Sequence, residues 1–176
     1  DSLWTGDHIV IPYHISSPYP YSATGASSFE PTRSQCEPLT LLAFIAGFTQ
    51  RIRLGTHVLI LPYRNPVVTA KMFATLDQMS GGRAILGAGS GWSESEFAAL
   101  DVPYHQRGAR ATEYLRIIQT CWSEGKSTFH GRFFNFDDMH VNPKPVQNPH
   151  PPIWVGGSSH ASLRRAARFA QVWAPT

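Results

Sequence analysis

The apolar positions of the chain switch repeatedly between two periods. Short, mostly apolar runs have the length and composition of buried strands, and they occur at Leu3–Thr5, Ile52–Leu61, Ala84–Leu86, Ile153–Val155 and Gln171–Trp173. Between them, apolar residues recur every three or four positions, as on one face of a helix. The clearest such face holds Ala111, Tyr114, Leu115, Ile118, Cys121 and Trp122. This alternation predicts an α/β fold with a parallel sheet and right-handed crossovers.

Local signals mark the ends of the helices. Asn65 followed by Pro66 predicts the start of one helix, and Gly81 predicts its end. Ser93 and Glu96 have the spacing of a capping box, so a short helix is expected to begin there.

Two segments predict structure outside the sheet. Residues 12–38 are rich in Pro, Ser, Tyr and Gly and show no periodicity, which is typical of a long lid or binding loop. Thr128–Phe136 alternates around Gly131-Arg132 and predicts a small hairpin.

Two architectures fit a parallel α/β pattern. A doubly wound sheet usually carries Gly-x-Gly-x-x-Gly at its first strand–helix turn, whereas here the glycine-rich turn is not the first and Trp92 stands in place of the third glycine. A (β/α)₈ TIM barrel needs ~250 residues, so this chain would hold about five of its eight strands. We favour the barrel, because each strand ends in its own small or polar loop and such loops converge on one site in a barrel.

Composition narrows the class of protein. Of 176 residues, 42% are hydrophobic and only 15% are charged, with a net charge of +3, which fits an enzyme better than a nucleic-acid binder. The one arginine cluster, Arg164, Arg165 and Arg168, is read as the solvated face of a helix. Two cysteines exclude a disulfide framework, so a cytoplasmic protein with Cys121 as a buried thiol is expected.

The lengths of the apolar runs and the spacing of the histidines bear on membrane insertion and on metal binding. No apolar run approaches ~18 residues, and neither a signal peptide nor a membrane span is predicted. The chain starts at Asp1 rather than at a methionine, so an upstream part is expected to be absent. The eight histidines lie in separate segments without metal-ligand spacing, and no metal site is expected.

Two strand ends carry candidate chemistry in polar side chains. Asp7 and His8 follow the first strand, where a histidine could transfer a proton or hydrogen-bond a ligand, or could be an ordinary structural residue. Thr56 and His57 precede Val58 within an apolar strand, which indicates a ligand-facing position, a bulge or a satisfied core histidine.

Two glycine-rich turns carry the other candidates. Gly87–Trp92 lets backbone N–H groups approach a flat ring or a phosphate, or is simply a tight turn. Gly156-Gly157-Ser158-Ser159 precedes a helix and is either an anion site or an ordinary serine cap. Together these features favour a phosphate-bearing aromatic cofactor.

The order of the motifs matches a known family. The motifs are Ser2–His8, Leu54-Gly55-Thr56, Arg64-Asn65-Pro66, Gly81-Gly82-Arg83, Gly87–Trp92, Pro143-Lys144-Pro145 and Pro152–Gly157. This series resembles the luciferase-like monooxygenase superfamily over nearly the whole chain. It is most similar to the branch of probable coenzyme F420-dependent oxidoreductases.

The resemblance implies a fold and a site. Residues 1–176 would form a single, partial luciferase-like TIM-barrel domain, with about strands two to six. Asp7 and His8 would be catalytic, with His8 donating a proton or positioning the ring and Asp7 fixing the orientation of His8. The segment at Thr56 would form a bulge, often with a non-proline cis peptide, behind the ring. The implied cofactor-binding residues are Thr56, His57, Val58, Gly89, Ser90, Gly91, Trp92, Gly156, Gly157 and Ser158.

The leading hypothesis is hydride transfer between coenzyme F420 and an organic substrate. Trp92 stands where the sugar-phosphate dehydrogenases of this type carry a catalytic Glu, which argues against that acid and that substrate. The rivals are an FMN-dependent monooxygenase with a partner reductase, a non-catalytic flavin- or deazaflavin-binding protein, and a barrel hydrolase or lyase. The absence of paired carboxylates at strand ends weighs against the last. A small-molecule substrate and a homodimer are expected, with no nucleic-acid or membrane partner.

Overall fold

The computed structural model describes residues 1–13, 18–20, 22–25, 30–123 and 125–175. Its strands are β1 (Ser2–Thr5), β2 (Arg53–Thr56), β3 (Leu59–Ile60), β4 (Ala84–Gly89), β5 (Ser127–His130), β6 (Asn135–Met139), β7 (Ile153–Gly156) and β8 (Val172–Ala174). Its α-helices are α1 (Pro38–Phe48), α2 (Pro66–Ser80), α3 (Glu94–Ala99), α4 (Arg107–Ser123) and α5 (His160–Phe169). The predicted loop at residues 12–38 lies partly outside the described residues.

The main sheet is parallel, and its strands follow one another in chain order. The neighbours are β1, β2, β4, β7 and β8, while β3 continues the line of β2 and also pairs with β4. A doubly wound sheet would reverse direction at a switch point, whereas sequential parallel neighbours are the arrangement of a barrel wall. Among the described strands β8 does not pair with β1, so the sheet is an open section of that wall. The predicted α/β, luciferase-like barrel fold is confirmed.

The two faces of this sheet differ because side chains alternate along each strand. Leu54, Leu86 and Ile153 point outward and are fully buried against the helices, where they form the hydrophobic core. Trp4 and Trp154 point to the opposite, inner face and are only half-buried. The helices therefore cover the sheet on one side, and the inner face is the more exposed of the two.

The predicted strand Ile52–Leu61 is wrong as one continuous strand. β2 pairs with β4 as far as Gly55 opposite Ile85, and β3 resumes with Leu59 opposite Ala88, so this line has one residue more than its partner. That extra residue makes a β-bulge, which interrupts the ladder because it has no position opposite it. The His57–Val58 peptide in the bulge is cis, as the family resemblance implied.

The predicted ends of α2 are confirmed. The Asn65 side chain accepts hydrogen bonds from the backbone N–H groups of Val67 and Val68, and Gly81 ends the helix at φ 66°. Both features are local, and both depend on residues with a special backbone role.

Two further predictions concern the outer layer. The hairpin is present as antiparallel β5 and β6. The solvated arginine face is wrong in part, because Arg165 is buried and donates to Thr112 Oγ1 and the Gly108 carbonyl, while Arg164 and Arg168 are exposed. No helix of the described residues is long and apolar enough to cross a bilayer.

Candidate functional site

The carboxyl ends of β1, β3, β4 and β7 meet at one edge of the sheet, since parallel strands end on the same side. This edge brings together most of the residues singled out from the sequence, namely Asp7, His8, Thr56, His57, Val58, Gly89, Ser90, Gly91, Trp92, Gly156, Gly157 and Ser158. Their roles differ, however, once the contacts of each are considered.

The side chain of Val58 lies against two glycines at this edge. A Cβ atom on Gly89 would lie 2.3 Å from Val58 Cγ2, and one on Gly156 would lie 2.7 Å from Val58 Cγ1. Both glycines therefore leave room for Val58 rather than for a ligand directly. We call Val58 with Gly89 and Gly156 the Val58 platform; it is apolar, and Val58 itself is half-buried.

Thr56 joins the bulge to β4 by hydrogen bonds. Its hydroxyl donates to the Gly87 carbonyl at 2.8 Å and accepts from the Gly87 N–H at 3.1 Å, and Thr56 is fully buried. A Cβ atom on Gly87 would lie 1.7 Å from the Thr56 carbonyl oxygen, so only glycine allows this approach. Thr56 supports the platform, whereas His57 beside it is exposed.

Tryptophan rings extend the inner face beside the platform. The rings of Trp4 and Trp154 lie 4.5 Å apart between centroids, and Trp4 covers the bare backbone of Gly55. On the other side, the Trp92 ring meets His8 edge-on at 6.1 Å and Tyr19 at 5.2 Å. Half-buried aromatic rings of this kind form a surface on which a flat ligand can pack.

His8 is held by a buried glutamate. His8 Nδ1 lies 2.9 Å from Glu96 Oε2, which also accepts the Tyr63 hydroxyl at 3.0 Å. The other oxygen, Oε1, accepts the Ile9 N–H at 2.9 Å, and Glu96 is only 1% exposed. Ser93 caps α3 as predicted, but the Glu96 carboxylate is directed to the loop after β1 instead of back to the cap.

Asp7 has a different partner from the one expected. Its carboxylate accepts two hydrogen bonds from Arg64, at 2.6 and 2.9 Å, and one from the Ile60 N–H at 2.8 Å. Arg64 also donates to Glu37 at 3.1 Å. The role expected for Asp7, fixing the orientation of His8, stays a prediction, and the hydrogen bond to His8 Nδ1 described above is made by Glu96. Asp7 instead joins the loop after β1 to the segment after β3.

Burial raises the pKa of the Asp7 carboxyl, and the Arg64 guanidinium opposes that rise. Burial acts to lower the pKa of Arg64, but the hydrogen bonds to Asp7 outweigh it and raise that pKa. The raised pKa of Asp7 favours its neutral form, whereas the raised pKa of Arg64 favours its charged form. Because two short charge-assisted hydrogen bonds join the groups, the pair is ionised at neutral pH. Burial and the neighbouring Glu96 carboxylate raise the pKa of Tyr63, so that side chain stays a phenol and donates.

Glu37 adds a pH dependence that can be measured. Burial acts to raise its pKa, but hydrogen bonds from Thr40 at the start of α1, together with Arg64, lower the pKa below its ordinary value of 4.5. A carboxyl with a lowered pKa stabilises the fold while ionised, and this contribution is lost as the pH falls through the folded-state pKa. Between about pH 5 and about pH 3, the native chain should lose more unfolding free energy than Glu37→Gln, whose amide does not titrate, and solvent screening keeps the difference small. Urea unfolding at both pH values tests this, and equal losses would contradict it.

The two glycine turns complete the edge. Gly91 adopts φ 77°, and its carbonyl accepts a hydrogen bond from Arg107 at 3.3 Å. Gly157 adopts φ 102°, and its carbonyl accepts the Trp173 indole N–H at 2.9 Å. The turn at Gly157 and Ser158 leads into α5, whose first backbone N–H groups have no partner within the helix. The ordinary serine cap is present as well, because Ser159 accepts from the Ser162 N–H.

The Val58 platform predicts a clear effect of side-chain volume. Gly89→Ala should lower the free energy of unfolding by about 1–3 kcal/mol, because the new methyl group overlaps Val58. Val58→Ala should relieve that overlap, so the double variant should be more stable than the sum of the single effects predicts. Gly47→Ala is the control, since nothing lies within 4 Å of its new Cβ and alanine stabilises a helix by about 0.5–1 kcal/mol. Additive effects in urea unfolding would contradict the contact.

Several residues of the site were not found from the sequence. The sequence indicates Glu96 only as a capping position and Arg64 only as part of a motif, and it does not indicate Tyr63 or Trp154 as site residues. A glutamate beside Phe97 on the buried side of a short helix was the one available signal for Glu96. Among the described residues no cluster of His, Cys, Asp and Glu could hold a metal ion.

A parallel α/β barrel wall that brings polar groups and an apolar platform together at its carboxyl edge is the kind of scaffold on which TIM barrels place their sites. The chain belongs to the luciferase-like monooxygenase family, whose family model matches residues 1–176. One relative of this family that the chain matches is named as an FMNH(2)-dependent monooxygenase, and the structures that share its fold include one described as F420-dependent.

Three relatives illustrate the range of similarity. The FMNH(2)-dependent dimethylsulfone monooxygenase of Pseudomonas putida is 36% identical over 140 residues, which are 78% of this chain and 38% of that protein. The crystal structure of monooxygenase RslO1 from Streptomyces bottropensis matches with a TM-score of 0.72 at 32% identity, covering 75% of this chain and 40% of that one. An F420-dependent secondary alcohol dehydrogenase shares the fold with a TM-score of 0.79 at 21% identity, covering 99% and 49%. The chain thus spans about half the length of these relatives or less.

Proposed function

We propose that this chain forms the cofactor-holding part of an oxidoreductase that uses coenzyme F420 to transfer a hydride to or from a small organic substrate. The observation that carries this proposal is the Val58 platform, an apolar surface set between glycines at the carboxyl edge of a barrel wall. The motif series of the F420-dependent branch supports the choice of coenzyme.

The residues present fit a flat ring with a phosphate-bearing tail. The platform would hold one face of the ring, and Gly91 with Trp92 would line its edge. The turn at Gly157 and Ser158, at the start of α5, would hold the phosphate through backbone N–H groups. The bound deazaflavin would supply or accept the hydride, while the protein supplies orientation and electrostatics.

His8 is the candidate proton donor beside this surface. Its ring is half-buried and lies next to Trp92, at the end of β1. A positioned imidazole can give a proton to a ligand oxygen or take one from it at neutral pH.

A reduced-FMN monooxygenase is the second candidate, and a specific observation favours it. The named relatives above 30% identity are monooxygenases, and one of them is named FMNH(2)-dependent. The Val58 platform and the turn at Gly157 would serve FMN equally well, since both coenzymes carry a flat tricyclic ring and a phosphate.

Titration of the protein with F420 and with FMN, followed by cofactor fluorescence, distinguishes the candidates. Affinity for F420 at least tenfold above that for FMN supports the proposal, and the reverse order supports the monooxygenase. Affinity without reoxidation of the reduced coenzyme by any acceptor would identify a non-catalytic binding protein. Binding of neither coenzyme would contradict both redox candidates.

A charge on the platform should weaken coenzyme binding while the protein stays folded. Val58→Glu is expected to weaken coenzyme binding at least tenfold, because a carboxylate would have to be desolvated under the ring. Val68→Glu on α2 is the matched control, since Val68 is 53% exposed and lies on the outer layer. The two variants are compared by the same titration and by circular dichroism. Equal affinities would contradict the location of the ring.

A further inference from the structure

We infer that Glu96 is a positioning residue that fixes the tautomer of His8, holding the proton on Nδ1 and the lone pair of the neutral imidazole on Nε2. This inference rests on the proposed function only for its consequence in turnover. The hydrogen-bond geometry around Glu96 carries the structural part.

The donors around Glu96 determine the direction of each hydrogen bond. Ile9 offers a backbone N–H to Oε1, and a backbone N–H can only donate. Tyr63 offers its hydroxyl to Oε2, and because its pKa is raised it remains a phenol. An ionised carboxylate is an acceptor only, so the 2.9 Å contact at Oε2 requires His8 Nδ1 to donate as well.

Contacts from several segments of the chain hold the Glu96 side chain in place. Glu96 is 1% exposed, and its two oxygens accept from residues 33 to 88 positions away in the chain. The short helix α3 holds it in place, since Ser93 caps the helix and Phe97 packs against the ring of Tyr63 at 4.7 Å. The His8 ring contacts Trp92 edge-on, and its Nδ1 atom faces the Glu96 carboxylate.

The consequence for proton transfer follows from the tautomer. When His8 is protonated on both nitrogens, it can give the Nε2 proton to a ligand oxygen and keep the Nδ1 proton on the hydrogen bond to Glu96. The neutral imidazole that remains is already in the form that Glu96 stabilises. The same groups run in reverse when a ligand hydroxyl gives up its proton to Nε2.

Glu96→Gln tests the inference, because one end of the glutamine amide accepts hydrogen bonds and the other donates them. The Ile9 N–H requires the amide oxygen at the position of Oε1, since an NH₂ group there would face another donor. The amide nitrogen then lies at the position of Oε2 and donates to His8 Nδ1. Glu96→Gln is therefore expected to reverse the tautomer to Nε2–H.

The measurement is ¹⁵N NMR of the imidazole nitrogens in the protein without cofactor, at a pH where His8 is neutral. His8 signals are assigned by their loss in His8→Gln. The native protein should show Nδ1–H, and Glu96→Gln should show Nε2–H. Tyr63→Phe removes a different hydrogen bond from Oε2 but keeps the carboxylate, so it should retain Nδ1–H. Nε2–H in the native protein, or an unchanged tautomer in Glu96→Gln, would overturn the inference.

Turnover gives the second readout. Glu96→Gln should lower kcat by roughly 10²-fold or more, as expected when a catalytic histidine takes the wrong tautomer, with coenzyme Kd changed less than about threefold. A reversed tautomer with full kcat would overturn the catalytic part. If neither coenzyme binds the native protein, the proposed function fails, whereas the NMR result still decides the role of Glu96.

Discussion

Asp7→Ala is expected to lower the free energy of unfolding by about 3 kcal/mol. Removing one partner of a buried ion pair costs about 3–5 kcal/mol, because the other charge is left without compensation. Here the lower end applies, since Arg64 keeps its hydrogen bond to the partly exposed Glu37. The loss also leaves the Ile60 N–H without its acceptor at the end of the bulge. Urea unfolding of the native protein and the variant measures the effect.

Two further variants show whether the effect of Asp7→Ala comes from the buried ion pair or from the loss of any carboxylate. Asp137→Ala removes an exposed carboxylate that lies 2.9 Å from His130, and it should cost less than about 1 kcal/mol. Asp7→Asn combined with Arg64→Met keeps an acceptor for Ile60 and removes the buried charge, so it should be more stable than Asp7→Ala. If Asp7→Ala unfolds no more easily than Asp137→Ala, the buried pair does not stabilise the site.

His8→Ala is expected to lower kcat/KM by about 10²–10⁴-fold, which is the usual contribution of a general acid or base. The Kd for the coenzyme should change less than about tenfold, because the Val58 platform and the turn at Gly157 are intact. The rate is measured as reoxidation of the reduced coenzyme by the best acceptor found for the native protein.

The matched control is His130→Ala, a histidine on the β5–β6 hairpin with a 64% exposed side chain. It removes an imidazole far along the chain from the strand ends and should leave kcat/KM within about twofold of the native value. A His8→Ala variant with native turnover would remove His8 from the reaction, whatever the binding data show.

Features that depend on local sequence were predicted well. The caps at Asn65 and Gly81 depend on backbone roles that few residue types can take, and both are present. The strand–helix order followed from periodicity, and it led to the barrel because each strand ended in a small or polar loop. The family resemblance added the cis peptide at His57–Val58, which periodicity alone does not indicate.

Features that depend on pairing between distant segments were not predicted. The break between β2 and β3 exists because β4 has one residue fewer across the same span, and this is a property of two strands together. Glu96 meets His8 across 88 positions, so the capping pattern around it gave no sign of its partner. For the same reason Asp7 was paired with its neighbour His8 rather than with Arg64, 57 positions away.

Some expectations concern properties that the contacts within this chain do not test. The homodimer, the cytoplasmic location and the extent of the single domain over residues 1–176 stay predictions. The glycines of the two turns have two different roles. Gly89 and Gly156 make room for Val58, whereas Gly91 and Gly157 adopt the positive φ values that turn the chain away from the sheet.

The most direct test of the account is a crystal structure of the protein with F420, or with FMN if FMN binds more tightly. The account predicts that the ring lies in van der Waals contact with Val58, that its phosphate lies at Gly157 and Ser158, and that the Nε2 side of His8 faces the ring. A ring bound away from the strand ends would contradict it. The groove between α4 and α5, lined by Thr112, Arg164 and Arg168, is the clearest alternative position.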